Sequence, residues 1–366
     1  MEKYMEIRND TYYKIVNMNS GLVADVKAKS TSNSALLEQL AWQNETFQQW
    51  LVFQLDGELY AFTNRNSGLI MDVKSKSTSN SADLEQLDWY GETFQQWMIS
   101  ETDTEGYYKI TNQNSGLVMD VKGKSTSNSA LLEQLDWYNE SFQKWAFEPL
   151  DSITLPSVET QPLPNVPQYT SADENTLPDQ TDPVITNYTL MPCIMVTDNN
   201  WSASNKITNT PYYMLIKTQY WKKIDSHTFA PNTKYTSTTE YGMNQTDQES
   251  MTETTSISVT ADAGFSFGKM SSSISTTVTN ELQVSKSTTT ELMTDVTTTE
   301  EISNPYTYEI KWTKYALVTQ YDLKRADGTS VTASWTVIDK NEEQESYYPL
   351  DSPPEVMASK SEEGVK

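Results

Sequence analysis

The sequence predicts an all-β protein whose first part is one structural unit repeated three times. The copies Asn19–Trp50, Asn66–Trp97 and Asn114–Trp145 keep their markers in step at offsets of 47 and then 48 residues, and the last two differ at only six of 32 positions. Each copy alternates short apolar runs with turn-forming stretches such as Asn-Ser-Gly, and none of these runs has the period of a helix. A repeat of this size indicates one unit tiled in space.

Four short strands in each of three copies predict a β-trefoil over residues 1–150, since a β-propeller needs roughly four or more blades. The order Gly-Leu-x-x-Asp-Val, then an aromatic residue, then Gln-x-Trp also resembles the ricin-B-type lectin repeat. That resemblance implies a domain that binds glycans or a glycosylated receptor. We expect the closing tryptophans of the copies to lie in the core rather than in a binding site: Trp50, Trp97 and Trp145.

The same resemblance gives a role to several side chains of each copy. The aspartate after the second strand would grip two sugar hydroxyls, and the aromatic residue 17 positions later would stack on the sugar ring. A glutamine lies between them, and an asparagine often assists. The predicted sugar-binding residues are Asp25, Gln39, Trp42, Asn44, Asp72, Gln86, Trp89, Tyr90, Asp120, Gln134, Trp137 and Asn139.

Two alternatives stay open for these residues. Each aspartate could be a turn-capping carboxylate, and the contested tryptophans Trp42, Trp89 and Trp137 could belong to the core. The second copy has Gly91 where the others have asparagine, which predicts a weaker second site.

Composition limits the function classes open to the chain. Its 366 residues have room for two or three domains, and 50 acidic against 26 basic residues give a net charge of −24. This charge argues against nucleic acid and against electrostatic attraction to anionic lipid. One cysteine, Cys193, and one histidine, His227, leave little for disulfide, metal or triad chemistry. We therefore expect no metal and no cofactor. A hydrolase would have to rely on two carboxylates, and no stretch after residue 185 is typical of the α/β scaffold or deep cleft of such enzymes, so we expect no enzyme.

The rest of the chain predicts a linker, a second β domain and a tail. Residues 151–185 carry six prolines among polar residues and predict a linker or an extended strap across the domain boundary. Residues 186–351 form the second domain, with strands at Thr189–Val196 and Thr210–Trp221 and a long β pair or bent strand at Tyr306–Leu323. Residues 352–366 predict a flexible polar tail that is open to proteases.

Within the second domain, alternation predicts a β-hairpin near residues 256–285. Apolar and polar residues alternate from Ile257 to Phe267, Gly268 to Met270 supplies a turn, and apolar residues of one parity return from Ile274 to Val284. Each strand could provide the roughly 9–11 residues that cross a bilayer. The pattern alone favours the alternative, an ordinary half-buried hairpin in an elongated sheet. The apolar face would contain Ile257, Val259, Phe265, Phe267, Ile274, Val278, Leu282 and Val284.

Two stretches of the second domain resemble the Bin-like insecticidal crystal proteins: LMPCIMVTDNN (Leu190–Asn200) and KITNTPYYMLIKTQYW (Lys206–Trp221). In that family a trefoil precedes an aerolysin-type β domain, so the order of domains matches as well. The resemblance implies an elongated antiparallel aerolysin-like domain and a pore-forming toxin of a family that often works as two-component pairs.

The resulting hypothesis is a toxin that binds cell-surface glycans of the galactose type, on glycolipids or glycoproteins. A protease would trim the tail after Leu350. The trimmed protein would form a homo-oligomer, and each protomer would add its hairpin to a barrel in the target membrane. The eight apolar residues would face lipid, and Asp262 and Glu281 would line an acidic, cation-preferring lumen. A possible second toxin component stays open. The alternative is a non-lytic glycan-binding agglutinin whose β domain only oligomerises.

The beginning of the sequence bears on where the protein is made. MEKYMEIRND contains no apolar h-region, so we expect no secretory signal. Together with the family resemblance, this predicts storage in a parasporal inclusion of a spore-forming bacterium and action on the host gut cell membrane. Such a solid should dissolve as pH rises, because carboxylates and then the 21 tyrosines ionise.

Overall fold

The computed structural model describes residues 7–171, 177–268, 270–289 and 291–363, with residues 357–363 described by their backbone only. A three-fold β region comes first and an antiparallel β domain follows, with few helices. The predicted all-β class is confirmed.

The first region is a twelve-stranded antiparallel trefoil, four strands per copy. Its strands are β1 (Thr11–Asn17), β2 (Val23–Val26), β3 (Ala35–Leu40), β4 (Trp50–Asp56), β5 (Leu59–Asn64), β6 (Ile70–Val73), β7 (Ala82–Leu87), β8 (Trp97–Glu101), β9 (Tyr108–Asn112), β10 (Val118–Val121), β11 (Ala130–Leu135) and β12 (Trp145–Ser152). Short 3-10 turns recur at Lys27–Lys29, Lys74–Lys76 and Lys122–Lys124, and at Thr46–Gln48, Thr93–Gln95 and Ser141–Gln143.

The third strands of the copies, β3, β7 and β11, pair with one another and close the three-fold arrangement. The closing tryptophans lie fully buried in the core, as predicted: Trp50, Trp97 and Trp145. Each indole Nε1 donates a 3.1 Å hydrogen bond to a backbone carbonyl of the second strand of its own copy. The polar atom of each ring is therefore satisfied inside an apolar core.

The described residues between β12 and the next strand form a strap that packs on the second domain. Tyr169 and Leu177 lie in one apolar cluster with Trp221 of that domain. The Trp221 Nε1 donates to the Pro164 carbonyl at 3.1 Å, and the Tyr169 N–H donates to Ser346 Oγ at 2.8 Å. Of the two alternatives, linker or strap, the described part is a strap.

The second domain is built on a seven-stranded antiparallel sheet in the order β13-β14-β19-β20-β15-β18-β21. Its strands are β13 (Val184–Pro192), β14 (Tyr212–Phe229), β15 (Lys234–Met243), β18 (Val296–Ser303), β19 (Ile310–Lys324), β20 (Trp335–Tyr348) and β21 (Glu355–Glu363). The long strands β14 and β19 pair from end to end and make the sheet elongated. The predicted first strand stops at Pro192, where a 3-10 turn, Cys193–Met195, follows.

Smaller elements fill the space between sheet and trefoil. They are the helices α1 (Ala203–Asn209), α2 (Gln245–Thr255) and α3 (Ser272–Leu282) and a hairpin of β16 (Ile257–Val259) with β17 (Phe265–Phe267). One continuous apolar core joins them to both regions, because Tyr12, Phe53 and Leu55 of the trefoil lie in the same cluster as Val278 and Leu282 of α3. The two regions therefore share a core.

The predicted flexible tail is wrong for residues Glu355–Glu363. These residues form β21, which pairs with β18 from Ser303↔Glu355 to Val296↔Glu363 and covers that edge of the sheet. The edge strand of a sheet has unpaired backbone N–H and C=O groups that can pair with a further strand. The backbone of a polar segment can supply that strand as well as the backbone of an apolar one. Residues 364–366 of the predicted tail lie outside the described residues.

Candidate carbohydrate sites and the segment between the domains

The aspartates expected to grip a sugar lie beneath the surface. Each stands at the end of a second strand, directly opposite a glutamate of the third strand: Asp25–Glu38, Asp72–Glu85 and Asp120–Glu133. The aspartates are 1% exposed, and the Oδ2 atom of each has no hydrogen-bond partner among the described residues. Burial raises the pKa of each aspartate to about 7, and the facing glutamate adds to the rise.

This position differs from the expected one. A carboxyl so deeply buried contacts a sugar hydroxyl only if the residues covering it shift, and its environment is a buried cross-strand pair rather than a turn cap. The first glutamine of each Gln-x-Trp, whose side-chain amide donates to a backbone carbonyl of its own copy, partly opposes this rise in the pKa of the aspartate: Gln48, Gln95 and Gln143. Sequence reasoning missed the facing glutamates, although Glu-Gln-Leu recurs at the same place in every copy.

The glutamines predicted as sugar ligands have a structural role instead. Gln39, Gln86 and Gln134 are fully buried. Each side-chain carbonyl accepts a 2.7 Å hydrogen bond from a serine hydroxyl of its own copy. Each amide Nε2 donates to two serine carbonyls of the neighbouring copy at 2.9–3.0 Å. Because every polar atom is used within the protein, none remains for a sugar.

The contested tryptophans are half-buried and divide into two environments. The Lys14 ammonium lies 5.4 Å from the ring centre of Trp42, and the Lys109 ammonium lies 5.7 Å from that of Trp137. Ala61 occupies the corresponding lysine position of the second copy, and no lysine or arginine of the described residues lies over Trp89, which packs against the core shared by the two regions. The next residue is exposed in the second and third copies, Tyr90 by 48% and Tyr138 by 59%.

The asparagine position of each copy is set by backbone conformation. Asn44, Gly91 and Asn139 all have a positive φ, of 59°, 73° and 60°. Asparagine and glycine are the residues that adopt this conformation most easily. The Asn139 Nδ2 also donates to an Asp103 oxygen at 2.7 Å. Gly91 is therefore explained by the turn, and its presence gives no independent reason for a weaker second site.

The predicted long hairpin near 256–285 is wrong in both of its strands. The first run turns back on itself, because Thr260, Asp262 and Gly264 form a hydrogen-bonded turn between β16 and β17. The second run is helix α3. Ile274, Val278 and Leu282 are spaced by four residues. This spacing would place them on one side of a strand, and it also places them on one face of a helix.

Helix α3 is held at both ends by other parts of the molecule. Its N-cap hydroxyl, Ser271 Oγ, accepts from the Ile274 N–H and donates to the Leu55 carbonyl of the trefoil, and the Gly57 N–H donates to Ser273 Oγ at 3.3 Å. At the other end the buried Lys217 ammonium of β14 donates to the Leu282 carbonyl at 3.1 Å.

The apolar residues assigned to lipid contact are covered in this structure. Ile257, Val259, Phe265, Ile274, Val278 and Leu282 are buried, and Phe267 and Val284 are partly buried against the same core. Asp262 and Glu281 do not share a strand face, because one lies in the β16–β17 turn and the other in α3. The Asp262 carboxylate accepts from Ser287 Oγ at 2.9 Å, and that of Glu281 accepts from Thr189 Oγ1 at 2.5 Å.

Other candidate groups offer little chemistry. Cys193 is buried, and burial raises the pKa of its thiol to about 12. His227 stacks on Tyr235 with ring centres 4.1 Å apart. The described residues contain no group of three or more His, Cys, Asp or Glu that could hold a metal ion. Among the same residues, no helix has the length and apolar character needed to cross a membrane.

Two family models match the chain. Residues 5–87 and 93–177 match the ricin-type β-trefoil lectin domain-like family, and residues 184–350 match the insecticidal crystal toxin P42 family. A lectin-like trefoil followed by a crystal-toxin β domain defines a two-domain toxin class, which is not an enzyme class. The chain is homologous to the binary larvicide subunits BinA and BinB and to the insecticidal crystal protein Cry35Ab1.

The relatives cover the chain in part. BinA of Lysinibacillus sphaericus is 33% identical over 199 residues, which cover 54% of this chain and 53% of BinA. BinB of the same organism is 28% identical over 182 residues, which cover 50% of this chain and 40% of BinB. Cry35Ab1 of Bacillus thuringiensis is 27% identical over 183 residues, 48% and 47%. The chain thus spans about half the length of the curated relatives it matches. The crystal structure of Cry35Ab1 matches over 94% of this chain and 91% of that one, with a TM-score of 0.78 at 22% identity, which shows the shared fold.

Proposed function

We propose that the chain is an insecticidal toxin that binds glycans on target cells and inserts its 257–284 segment into their membrane as part of an oligomeric β-barrel pore. The observation that carries this proposal is the environment of that segment. Its apolar residues lie in a core made jointly by the trefoil and the sheet, so the contacts that bury them depend on how the two regions sit together.

The composition of α3 supports a change of structure on insertion. Ile274, Thr276, Thr277, Val278 and Thr279 are β-branched, and such residues have lower helix propensity and higher strand propensity than unbranched ones. The helix depends on its N-cap, on the Lys217 contact and on the shared core. Loss of these contacts would leave a sequence suited to strands, and only a closed barrel satisfies strand edges in a bilayer.

Glycan binding is proposed for the half-buried tryptophans and the polar groups beside them. Trp42 and Trp137 offer partly exposed aromatic rings, and the unpaired Oδ2 atoms of Asp25 and Asp120 lie beneath the surface of the same copies. A buried oxygen without a partner is uncommon in proteins and is typical of functional sites. Sites of this kind are weak singly, so several on one rigid body would act through effective concentration on a galactose-bearing surface.

Oligomerisation is proposed to follow trimming of the C-terminal strand. Cleavage after Leu350 would remove β21 and leave the backbone groups of β18 unpaired along one edge of the sheet. An open edge recruits another strand, which a second protomer could supply. BinA and BinB are named as subunits of a binary larvicide, so a second toxin component is a further possible partner. We also propose production as an inclusion in a spore-forming bacterium, as for a crystal toxin.

Dye release from vesicles tests the proposed function. Trimmed protein should empty vesicles that carry a lactose-terminated glycolipid and should leave vesicles without it sealed. The double variant Ser258→Cys/Ser266→Cys should lock β16 to β17 when oxidised, since the two residues are direct cross-strand partners, and reduction should restore release. The buried Cys193 provides no competing thiol.

Three outcomes would count against the proposal. Vesicles that clump but stay sealed would favour the agglutinin, and release by the oxidised variant would remove the 257–284 segment from the mechanism. Absence of binding on a glycan array, with no toxicity to insect larvae, would remove the proposed function altogether. Larval assays with and without a BinB-type component separate a single-chain toxin from a binary one.

A further inference from the structure

The first copy of the trefoil contacts the small elements between the domains through Tyr12, whose hydroxyl donates to the Ile207 carbonyl of α1, and the second copy contacts them at a glycine. Its Gly68 meets α1: a Cβ added there would lie 2.1 Å from the Ala203 carbonyl oxygen. The equivalent glycines, Gly21 and Gly116, have nearly the same φ, and an added Cβ would meet nothing within 4 Å. The Ser204 Oγ of α1 also donates to the Asn66 carbonyl at 2.6 Å. Of these three equivalent glycines, only Gly68 lies where an added side chain would collide with the backbone of α1.

The candidate sugar cleft of the second copy faces the same junction. Trp89 and Tyr90 form one wall of a cavity of about 190 Å³. The other walls come from the second domain: Ile194, Met195 and Thr197 on one side, and Thr255, Ser256 and Met270 on the other. In the first and third copies a lysine of the same copy lies over the corresponding tryptophan.

The residues that close this cleft are continuous with the 257–284 segment. Ser256 immediately precedes β16, and Met270 immediately precedes Ser271, the N-cap of α3. The trefoil turn that accepts the Ser271 hydrogen bond, Leu55–Gly57, connects β4 of the first copy to β5 of the second. The second copy and the turn that leads into it thus hold the segment at the cleft and at the start of the helix.

We propose that the three sugar clefts are inequivalent: those of the first and third copies are open, and that of the second is closed by the second domain until the 257–284 segment leaves. A glycan that occupies the second cleft and a seated segment then exclude each other. Because such coupling is reciprocal, glycan engagement at the second cleft favours the released segment, and release adds a binding site. This inference rests on the proposed glycan binding.

Lactose counting by native mass spectrometry tests the inequivalence. The full chain should bind two lactose molecules, Trp137→Ala should reduce the number to one, and Trp89→Ala should leave it at two. A full chain that binds three molecules, one of which is lost in Trp89→Ala, would overturn the inference. If lactose binds to no version, Trp137→Ala included, the glycan assignment itself fails and the coupling with it.

Gly68→Ala tests the docking separately, because its proteolysis readout needs no sugar. The backbone strain of an alanine is shared with the control Gly116→Ala, but only Gly68→Ala also collides with α1. We expect Gly68→Ala to bind three lactose molecules and to be cleaved within 257–284 roughly tenfold faster, since cleavage follows the population of the open form. Gly116→Ala should match the wild type in both readouts. Equal cleavage of the two variants would mean that the second copy does not hold the segment, whatever the lactose counts show.

Discussion

The trefoil and the 257–284 segment are folded by opposite means. The trefoil repeats the same local sequence pattern three times, and equivalent tryptophan, glutamine and carboxylate contacts stabilise each copy. In the segment, β-branched residues form a helix whose ends are held by Leu55 and Lys217 from two different regions. Local preference and tertiary structure agree in the first case and conflict in the second, and regions with such a conflict are the ones expected to change conformation.

The largest effect should come from removing a core tryptophan of the trefoil. Trp97→Ala deletes a fully buried ring and its hydrogen bond to the Met71 carbonyl, and should lower the free energy of unfolding by about 3–5 kcal/mol. Trp137→Ala, at a half-buried ring, is the control and should cost about 1 kcal/mol. Urea denaturation followed by near-UV circular dichroism measures both. Similar losses in the two variants would contradict the assignment of one ring to the core and the other to the surface.

The second effect is a pH dependence located in the trefoil. The pKa of Asp120 is raised to about 7 in the folded protein, mainly by burial, above an ordinary value of 3.8. Its contribution to stability is therefore fully present below pH 4 and is lost as pH rises through 7, by at most about 4 kcal/mol. Asp120→Asn cannot ionise, so its stability should fall less than that of the wild type between pH 5 and pH 8. Parallel pH curves for the two proteins would show that this carboxyl ionises freely in the folded state.

A smaller effect is expected at the start of α3. Ser271→Ala removes the N-cap acceptor and the hydrogen bond to the Leu55 carbonyl, which should destabilise the helix by about 1 kcal/mol. Hydrogen exchange at residues 273–282 should accelerate severalfold, while exchange in β1–β12 stays unchanged. The control is Asn244→Ala, which removes the N-cap of α2 and should act on that helix alone. Acceleration throughout the trefoil would show that segment and trefoil unfold as one unit.

The smallest expected effect is an increase in the stability of α3. Thr276 and Thr277 lie on the exposed face of α3. The variants Thr276→Ala and Thr277→Ala should each stabilise the helix by about 0.5 kcal/mol, because alanine has a higher helix propensity than threonine. Dye release should slow severalfold with glycan binding unchanged. Thr246→Ala, exposed in α2, is the matched control and should leave the rate of release as it is. Unchanged release in the α3 variants would mean that unfolding of this helix does not limit insertion.

The trefoil was predictable from the sequence because repetition turns a weak local pattern into a strong one. The core role of the Gln-x-Trp tryptophans follows from the same pattern. The buried hydrogen bonds of the Gln39 side chain were not predictable, because its partners Ser125 and Ser127 lie far along the chain. For Ile274, Val278 and Leu282, a spacing of four residues belongs to strand and helix alike, and only long-range contacts decide between them.

The buried glutamines link the copies into a closed cycle. Gln39 reaches from the first copy to the third, Gln86 from the second to the first, and Gln134 from the third to the second. No copy can be deleted or truncated without stranding buried polar atoms in two others. Evolution can therefore vary the rim of one lobe while the other lobes retain their specificity, but it must gain or lose this domain whole.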